Sequence, residues 1–529
     1  MRRAVRLLAV ALLSCAPLHA QERPAWGRTL VVIPFESASL APGLDWLGEG
    51  FAEALRSQLD SPVLYVATRE ERLRAYDRQG IPAAVHASRA TLYRLAEQMD
   101  VDYALLGSYR SDGESVTATV QLLDMRAPRL LPGATETARL SDLGKLQSAL
   151  AWDVLRSIRT DFAVPKDKYI AGAPAISAEV MENYIHGVLA GTTSEKVRQF
   201  REAARLDPAF AEAWLELGKA YYEQRSYEAS MSSLEKIPSS SSVAREANFY
   251  LGLSACAHGD FEVAEKAFEF IASRLPLAEV YNNLGVVAEH RGQKKAISDF
   301  ERAVQNDPSD PDYHFNLGLA LSRSGEPARA TRELRIALEQ RPDDAEARVA
   351  LDSLAPPAAG AIVNSAAVAK LPPERLKRNY QENAFRQMTM QIQSWAEQQF
   401  ARSDPRTHAR YHLELGKELL AHGFMAEAEG EFRHAATVDP ASPAPLAALA
   451  EVYDARGDAR EARAQAEASL RVHESVEAYL VLTRLDLREG RTDSAEQNIS
   501  RALQLEPANP AAQDLKRTLA AKLTEKGQP

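Results

Sequence analysis

Arg245–Leu277 reads REANFYLGLSACAHGDFEVAEKAFEFIASRLPL, and the two stretches after it, opening AEVYNNLG at Ala278 and PDYHFNLG at Pro311, repeat its punctuation. The dipeptide Leu-Gly falls at Leu217-Gly218, Leu251-Gly252, Leu284-Gly285 and Leu317-Gly318, at intervals of 34, 33 and 33 residues, and returns at Leu415-Gly416. A period of this length fits one hairpin of two amphipathic helices. Such a hairpin cannot bury its apolar faces alone and must stack on its neighbours. The expected role of a stacked array is binding rather than chemistry.

Glycines Gly259, Gly292, Gly325, Gly423, Gly457 and Gly490 mark the turn inside each hairpin, and Pro208, Pro276, Pro308, Pro342, Pro440 and Pro507 stop the second helix. In these features the units resemble the tetratricopeptide repeat. That resemblance implies small residues at positions eight and twenty, pairing Gly252 with Ala264, Gly318 with Ala330 and Gly416 with Ala428. Large residues at positions seven and twenty-four would fill the wedge between the helices, as Leu251 with Phe268, Leu284 with Phe300 and Leu415 with Phe432. The register places repeats at about 180–210, 211–243, 245–277, 278–309 and 311–343, then 409–441, 443–475 and 476–508. The first unit is short, the second runs into the serine string Ser239–Ser242, and the fourth loses a residue between Gly292 and Ala296.

The first array with a capping helix spans 180–354 and the second 409–508. Between them, 355–373 is rich in alanine and proline and reads as an extended linker. A helix is expected over 374–402, with Phe385, Met388, Ile392 and Trp395 on one stripe packing against the next repeat. A polar helix and tail over 509–529 would cap the solenoid.

The resemblance further implies a concave groove lined by first-helix positions five, nine and twelve. Here these are Leu215, Lys219 and Tyr222; Phe249, Leu253 and Cys256; Asn282, Val286 and Glu289; and Phe315, Leu319 and Ser322. This lining is mostly apolar and aromatic, and the Lys and Asn pattern that clamps a chaperone's terminal carboxylate is absent from it. A protein or peptide partner, laid in as an amphipathic helix or an extended segment, fits better. Carboxylates recur at position two as Glu212, Glu246, Glu279 and Asp312, where they complement the helix macrodipole; a groove selecting basic peptides is the alternative.

Ahead of the repeats lies different material. Residues 1–20 carry Arg2, Arg3 and Arg6, an apolar run Leu7–Leu13 and a cleavage site at Leu18-His19-Ala20, the pattern of a secretory signal peptide. Export to the periplasm is therefore expected, with attachment to a membrane only if Cys15 is lipidated. Cys256, the other cysteine, leaves no intramolecular disulfide in a processed chain and is expected to act as a small apolar residue.

Residues 28–162 alternate strand and helix patterns: strand Thr29–Phe35, a helix capped by Asp45, strand Val63–Thr68, helix Ser88–Met99, a strand pair Val101–Tyr109 and Val116–Leu123 turned at Asp112-Gly113, and helix Ser141–Arg159. The segments VVIPFES, GLDWLGEGFAEAL and VDYALLGSYRSDGESVTATVQLLD resemble the TolB-like amino-terminal domain. The resemblance implies a non-catalytic module of bacterial envelope proteins. The overall expectation is an α/β domain with a mixed sheet, followed by an all-α solenoid in two blocks.

Chemistry is hard to place in this chain. Gly48-x-Gly50 lacks the third glycine of a dinucleotide loop, with Glu53 in its place and Glu49 adding negative charge, so a tight packing role is expected. His408 and His412 stand four apart on one helical face, but His412 falls in a core slot of the repeat and no Glu follows the first His as in a zinc protease helix. Packing is the expectation there too, with no metal, cofactor or catalytic residue. The net charge of -10 argues against a nucleic-acid surface. The expected function is that of a non-enzymatic exported adaptor; the alternative is a regulatory or sensory module whose amino-terminal domain binds a small ligand.

Overall fold

The computed structural model describes residues 28–526, leaving out 39–42, 62, 83–87, 160–161, 163, 173–175, 355–371, 401–402 and 422–424. The leader with Cys15, most of the linker and Gly423 lie outside the described residues.

The amino-terminal domain is built on one mixed sheet. Strand β1 (Arg28–Val32) is broken from β2 (Glu36–Ser37) at Pro34, and both run parallel to one edge of β4 (Tyr103–Ser111). On its other side β1 pairs in parallel with β3 (Leu64–Val66), while β5 (Ser115–Asp124) runs antiparallel to β4 and carries the short β6 (Arg129–Leu130) and β7 (Ala134–Arg139) on its far edge. Helices α1 (Leu47–Leu59), α2 (Arg69–Gln79), α3 (Arg89–Gln98) and α4 (Leu143–Ile158) cover the faces, and the short α5 (Lys166–Ala171) follows. Asp45 does not cap α1: Trp46 occupies the cap position with a helical backbone and no side-chain bond. Gly48 and Gly50 do the packing expected of them, because a Cβ on Gly48 would stand 2.6 Å from the Phe35 carbonyl oxygen and one on Gly50 3.2 Å from the buried Trp46 ring. Glu49 is paired with Arg69 and Arg72.

The remaining described elements are helices. In the first array the hairpins are α6 (Ala178–Leu189) with α7 (Thr193–Leu206), α8 (Ala211–Glu223) with α9 (Tyr227–Leu234), α10 (Ala244–His258) with α11 (Phe261–Ala272), α12 (Ala278–His290) with α13 (Ala296–Asn306), and α14 (Pro311–Arg323) with α15 (Pro327–Gln340); α16 (Ala345–Ser353) closes the array. After α17 (Glu382–Phe400) come α18 (Pro405–Ala421) with α19 (Met425–Val438), α20 (Ala444–Ala455) with α21 (Ala459–Val472), α22 (Val476–Arg488) with α23 (Thr492–Leu505), and a closing α24 (Pro510–Lys526).

The hairpins close on a contact one step different from the expected one. A Cβ on Gly252 would meet the Phe268 ring at 2.6 Å, one on Gly285 the Phe300 ring at 2.5 Å, and one on Gly416 the Phe432 ring at 2.5 Å. Position eight thus receives the side chain from position twenty-four directly, as Gly318 also does with Leu334 at 2.7 Å while meeting the Ala330 carbonyl oxygen at 3.4 Å, and Ala264, Ala330 and Ala428 are fully buried. The first hairpin is continuous with the sheet domain: Tyr184, Phe200 and Phe210 share one buried cluster with Phe35, Trp46 and Phe51.

Candidate functional site

The expected helix over 374–402 begins only at Glu382, and residues 372–381 are extended. They lie along the first helices of the last repeats of the first array. The cause is tertiary: the amides of Arg375, Lys377 and Gln381 donate to side chains of the array instead of to a helical turn.

Three fully buried asparagines hold this strap by its main chain. The Arg375 amide donates to Asn316 Oδ1 at 2.8 Å, and the Arg375 carbonyl accepts from Asn316 Nδ2 at 2.9 Å and from Asn282 Nδ2 at 2.8 Å. One step of the extended chain further on, Lys377 repeats the exchange with Asn283, its amide donating to Oδ1 and its carbonyl accepting from Nδ2, both at 2.8 Å. Only a carboxamide offers a donor and an acceptor side by side, so each asparagine reads one residue's main chain whatever its side chain. Asn316 Nδ2 also donates to Asn282 Oδ1 at 2.7 Å, tying the two repeats together under the strap. At the far end the Gln381 amide donates to Glu279 Oε1 at 2.8 Å.

The strap's side chains meet charge of the opposite sign. The Arg375 guanidinium lies 3.0 Å from Asp312, 2.6 Å from Asp344 and 2.7 Å from Glu346, and stacks 3.8 Å above the buried Phe315 ring. Lys377 Nζ is 2.6 Å from Asp310 and 2.7 Å from Asp312. Burial works against the Asp312 charge, but hydrogen bonds from Lys377, Arg341 and Arg375 outweigh it and hold this carboxyl well below the usual carboxylate range. Asp344 is lowered as well, chiefly by its bonds from Arg375. Glu279 is pushed upward by burial. The carboxylates at position two are therefore more than macrodipole partners: Glu279 and Asp312 take part in holding the strap.

The strap ends in an aromatic anchor, Tyr380, whose ring centroid is 5.0 Å from that of Phe249. Arg245 pairs with Glu382 at the start of α17, and Arg323 pairs with Glu374 at the other end. Beyond the groove α17 continues onto the sheet domain. Phe385 packs against the cluster of Phe249 and Phe268, whereas Met390 joins the cluster of Val31, Tyr65 and Leu95. Arg386 bonds both carboxylate oxygens of Asp60, at 2.7 and 3.1 Å. The helix thus spans from groove to sheet, not toward the next repeat alone; Met388 is exposed, and the side chains of Ile392 and Trp395 lie outside the described residues.

Among the residues expected to line the groove, Phe249, Asn282 and Phe315 touch the strap directly. Val286 belongs to the cluster against which Leu376 packs, Leu253 to that of Tyr380 and Phe385, and Glu289 pairs with Arg323. Lys219 is held between Glu216 and Glu246, and Tyr222 packs edge-on to Tyr250. Leu215 and Leu319 are buried between helices, beside Leu234 and Leu334 respectively. Asn283, Asn316, Asp344 and the strap itself went unread. Their one visible sign is the tripeptide Asn-Leu-Gly at Asn283 and again at Asn316, one position along from those taken as groove-lining.

A helical array whose paired asparagines grip an extended chain defines the class: a helical-repeat protein with a mixed-sheet domain at its amino terminus. The tetratricopeptide repeat pattern matches residues 197–244, 249–311 and 315–351, and these segments carry tetratricopeptide repeats. Solved structures similar to parts of the chain include MamA (26% identity, 30% of this chain and 92% of that one, TM-score 0.28). Others are YrrB, described as a TPR protein with an unusual peptide-binding site (17% identity, 33% and 90%, TM-score 0.29), and a tetratricopeptide repeat protein of Parabacteroides merdae (12% identity, 59% and 98%, TM-score 0.26). No curated protein matches the chain.

Proposed function

We propose that the protein is a non-enzymatic exported adaptor whose first repeat array binds an extended segment of a partner protein, basic at two alternate residues and aromatic three residues further on. The observation that carries this reading is the grip of Asn282, Asn283 and Asn316 on the main chain of Arg375 and Lys377, with Asp310, Asp312 and Asp344 receiving their charges. In this reading the resident strap resembles the partner segment and competes with it as a tethered ligand. Tethering confers a local concentration on the order of millimolar, so a partner must bind well or the strap must first let go.

Export rests on Arg2, Arg3, Arg6 and the apolar run Leu7–Leu13, and docking of the sheet domain to an envelope component rests on the TolB-like segments. A regulatory reading has one observation of its own, α17, which touches both the groove and the sheet domain and would couple their occupancy.

The test is fluorescence polarisation with a labelled peptide PPERLKRNYQE, copied from 372–382. An R375E/K377E variant, its own strap weakened, should bind the peptide at least about tenfold more tightly than the wild type. Adding N282A and N316A to that variant should abolish binding. If the strap-weakened protein does not bind the peptide, the groove is not a peptide site.

A further inference from the structure

Away from the groove, the described residues contain one group of three metal-capable side chains, His408 and His412 on α18 and His434 on α19, whose ligand nitrogens all lie within 4.8 Å of one another. His412 is fully buried, and its Nδ1 is 2.7 Å from Oε2 of the equally buried Glu431. That bond fixes the orientation of the ring and turns its Nε2 to the other side. That Nε2 faces His408 Nε2 at 3.0 Å, and the His434 ring centroid is 4.2 Å from that of His412. Zinc–nitrogen bonds of about 2.0–2.1 Å in a tetrahedron set ligand nitrogens about 3.4 Å apart, within the 4.8 Å span of these three.

The first array supplies an internal comparison. His314 and Glu333 occupy the same repeat positions as His412 and Glu431 and make the same bond, also at 2.7 Å, but there His314 Nε2 lies 3.1 Å from the Pro308 carbonyl oxygen. The pair alone is thus a packing device, as expected for His412. What differs is its surroundings: where the first array has Asp310 and Ile336, the second has His408 and His434. Both departures are to imidazole, and both fall beside the His412 ring. The two added rings are half-buried.

We propose that His408, His412 and His434 bind a divalent transition metal of the zinc class, with solvent as the fourth ligand and Glu431 orienting His412. The ion would staple α18 to α19 at the start of the second array.

The test is a Co2+ titration of the full chain free of any affinity tag, read by the visible absorption of four-coordinate cobalt and followed by displacement with Zn2+. One equivalent should saturate the signal. His434→Ile, which restores the first-array residue, should weaken binding at least about tenfold, and Glu431→Gln by about 10- to 100-fold. His314→Gln should change nothing. His408→Ala provides a second ligand deletion should the His434 variant fail to fold. No saturable one-to-one signal in the wild type, or equal affinity in the wild type and a folded ligand-deletion variant, overturns the site.

Discussion

The side-chain amide of Asn282 donates to the main-chain carbonyl of Arg375 at 2.8 Å across 93 residues of sequence. The bond joins the inner wall of one helical hairpin to a segment that has no secondary structure of its own, and its neighbours Asn283 and Asn316 repeat it. The groove of the first array is therefore described with an occupant, and that occupant is part of the same chain.

Truncating the clamp should free the strap without unfolding the array. In an N282A/N316A variant the buried amide and carbonyl of Arg375 lose their partners, a loss of about 1–3 kcal/mol for each group left unsatisfied. Trypsin should then cut after Arg375, Lys377 and Arg378 at least about tenfold faster than in the wild type, with the helical circular dichroism signal kept. Equal cutting rates would mean the asparagines do not restrain the segment.

Acid should release the strap, and the sign follows from the two lowered aspartates. Asp312 and Asp344 sit below their ordinary value of 3.8, so their stabilisation is complete above that pH and is lost as the pH falls through the lower folded values. Glu279 shifts the other way, because burial favours its protonated form, so its earlier protonation does not by itself weaken the Gln381 end. Hydrogen exchange pulsed at pH 7, 5, 4 and 3 should show Arg375 and Lys377 fully protected down to about pH 4 and progressively less protected below it. Loss of protection already between pH 7 and 5 would count against the aspartate clamp.

Repeat packing can be probed at position eight. Alanine in place of Gly252 gains about 1 kcal/mol of helix propensity, but its Cβ would stand 2.6 Å from the fully buried Phe268 ring, and overpacking of this kind costs about 1–3 kcal/mol. G252A should lower the midpoint of thermal unfolding, and a second change, F268L, should recover part of the loss. A stabilised G252A would show that the ring moves aside freely.

The lone described cysteine offers a check on the interior. Burial pushes the Cys256 thiol up to about 12, leaving almost no thiolate near neutrality. Labelling by a disulfide reagent at pH 8 should be slower by about a hundredfold or more than in denaturant. Prompt labelling of the folded chain would place the thiol in solvent.

The repeats were legible because steric demand recurs in them: a glycine that must admit a ring, and the ring that fills it, reappear at fixed spacing. Within the sheet domain α2 escaped notice, since REERLRAYDRQ buries only Arg72, Ala75 and Tyr76 and shows no apolar stripe. Its readable signal was the capping box of Thr68 with Glu71. The strap had no such signal. Pairing Arg375 with Asn316 or Lys377 with Asn283 leaves no period in the sequence, and the apolar stripe through Phe385 drew the expected helix eight residues past its true start at Glu382. Similarly, His434 lies on a different helix from His408 and His412, so spacing along one helix could not reveal it.

The most direct measurement is amide hydrogen exchange of the wild-type chain over 372–381 at neutral pH. These residues belong to no helix or sheet, so protection there can come only from the array's side chains. Slow exchange at Arg375, Lys377 and Gln381, reverting toward the free-peptide rate in an N283A/N316A/E279A variant, is the predicted result. Exchange of all three amides at the free-peptide rate in the wild type would contradict the account.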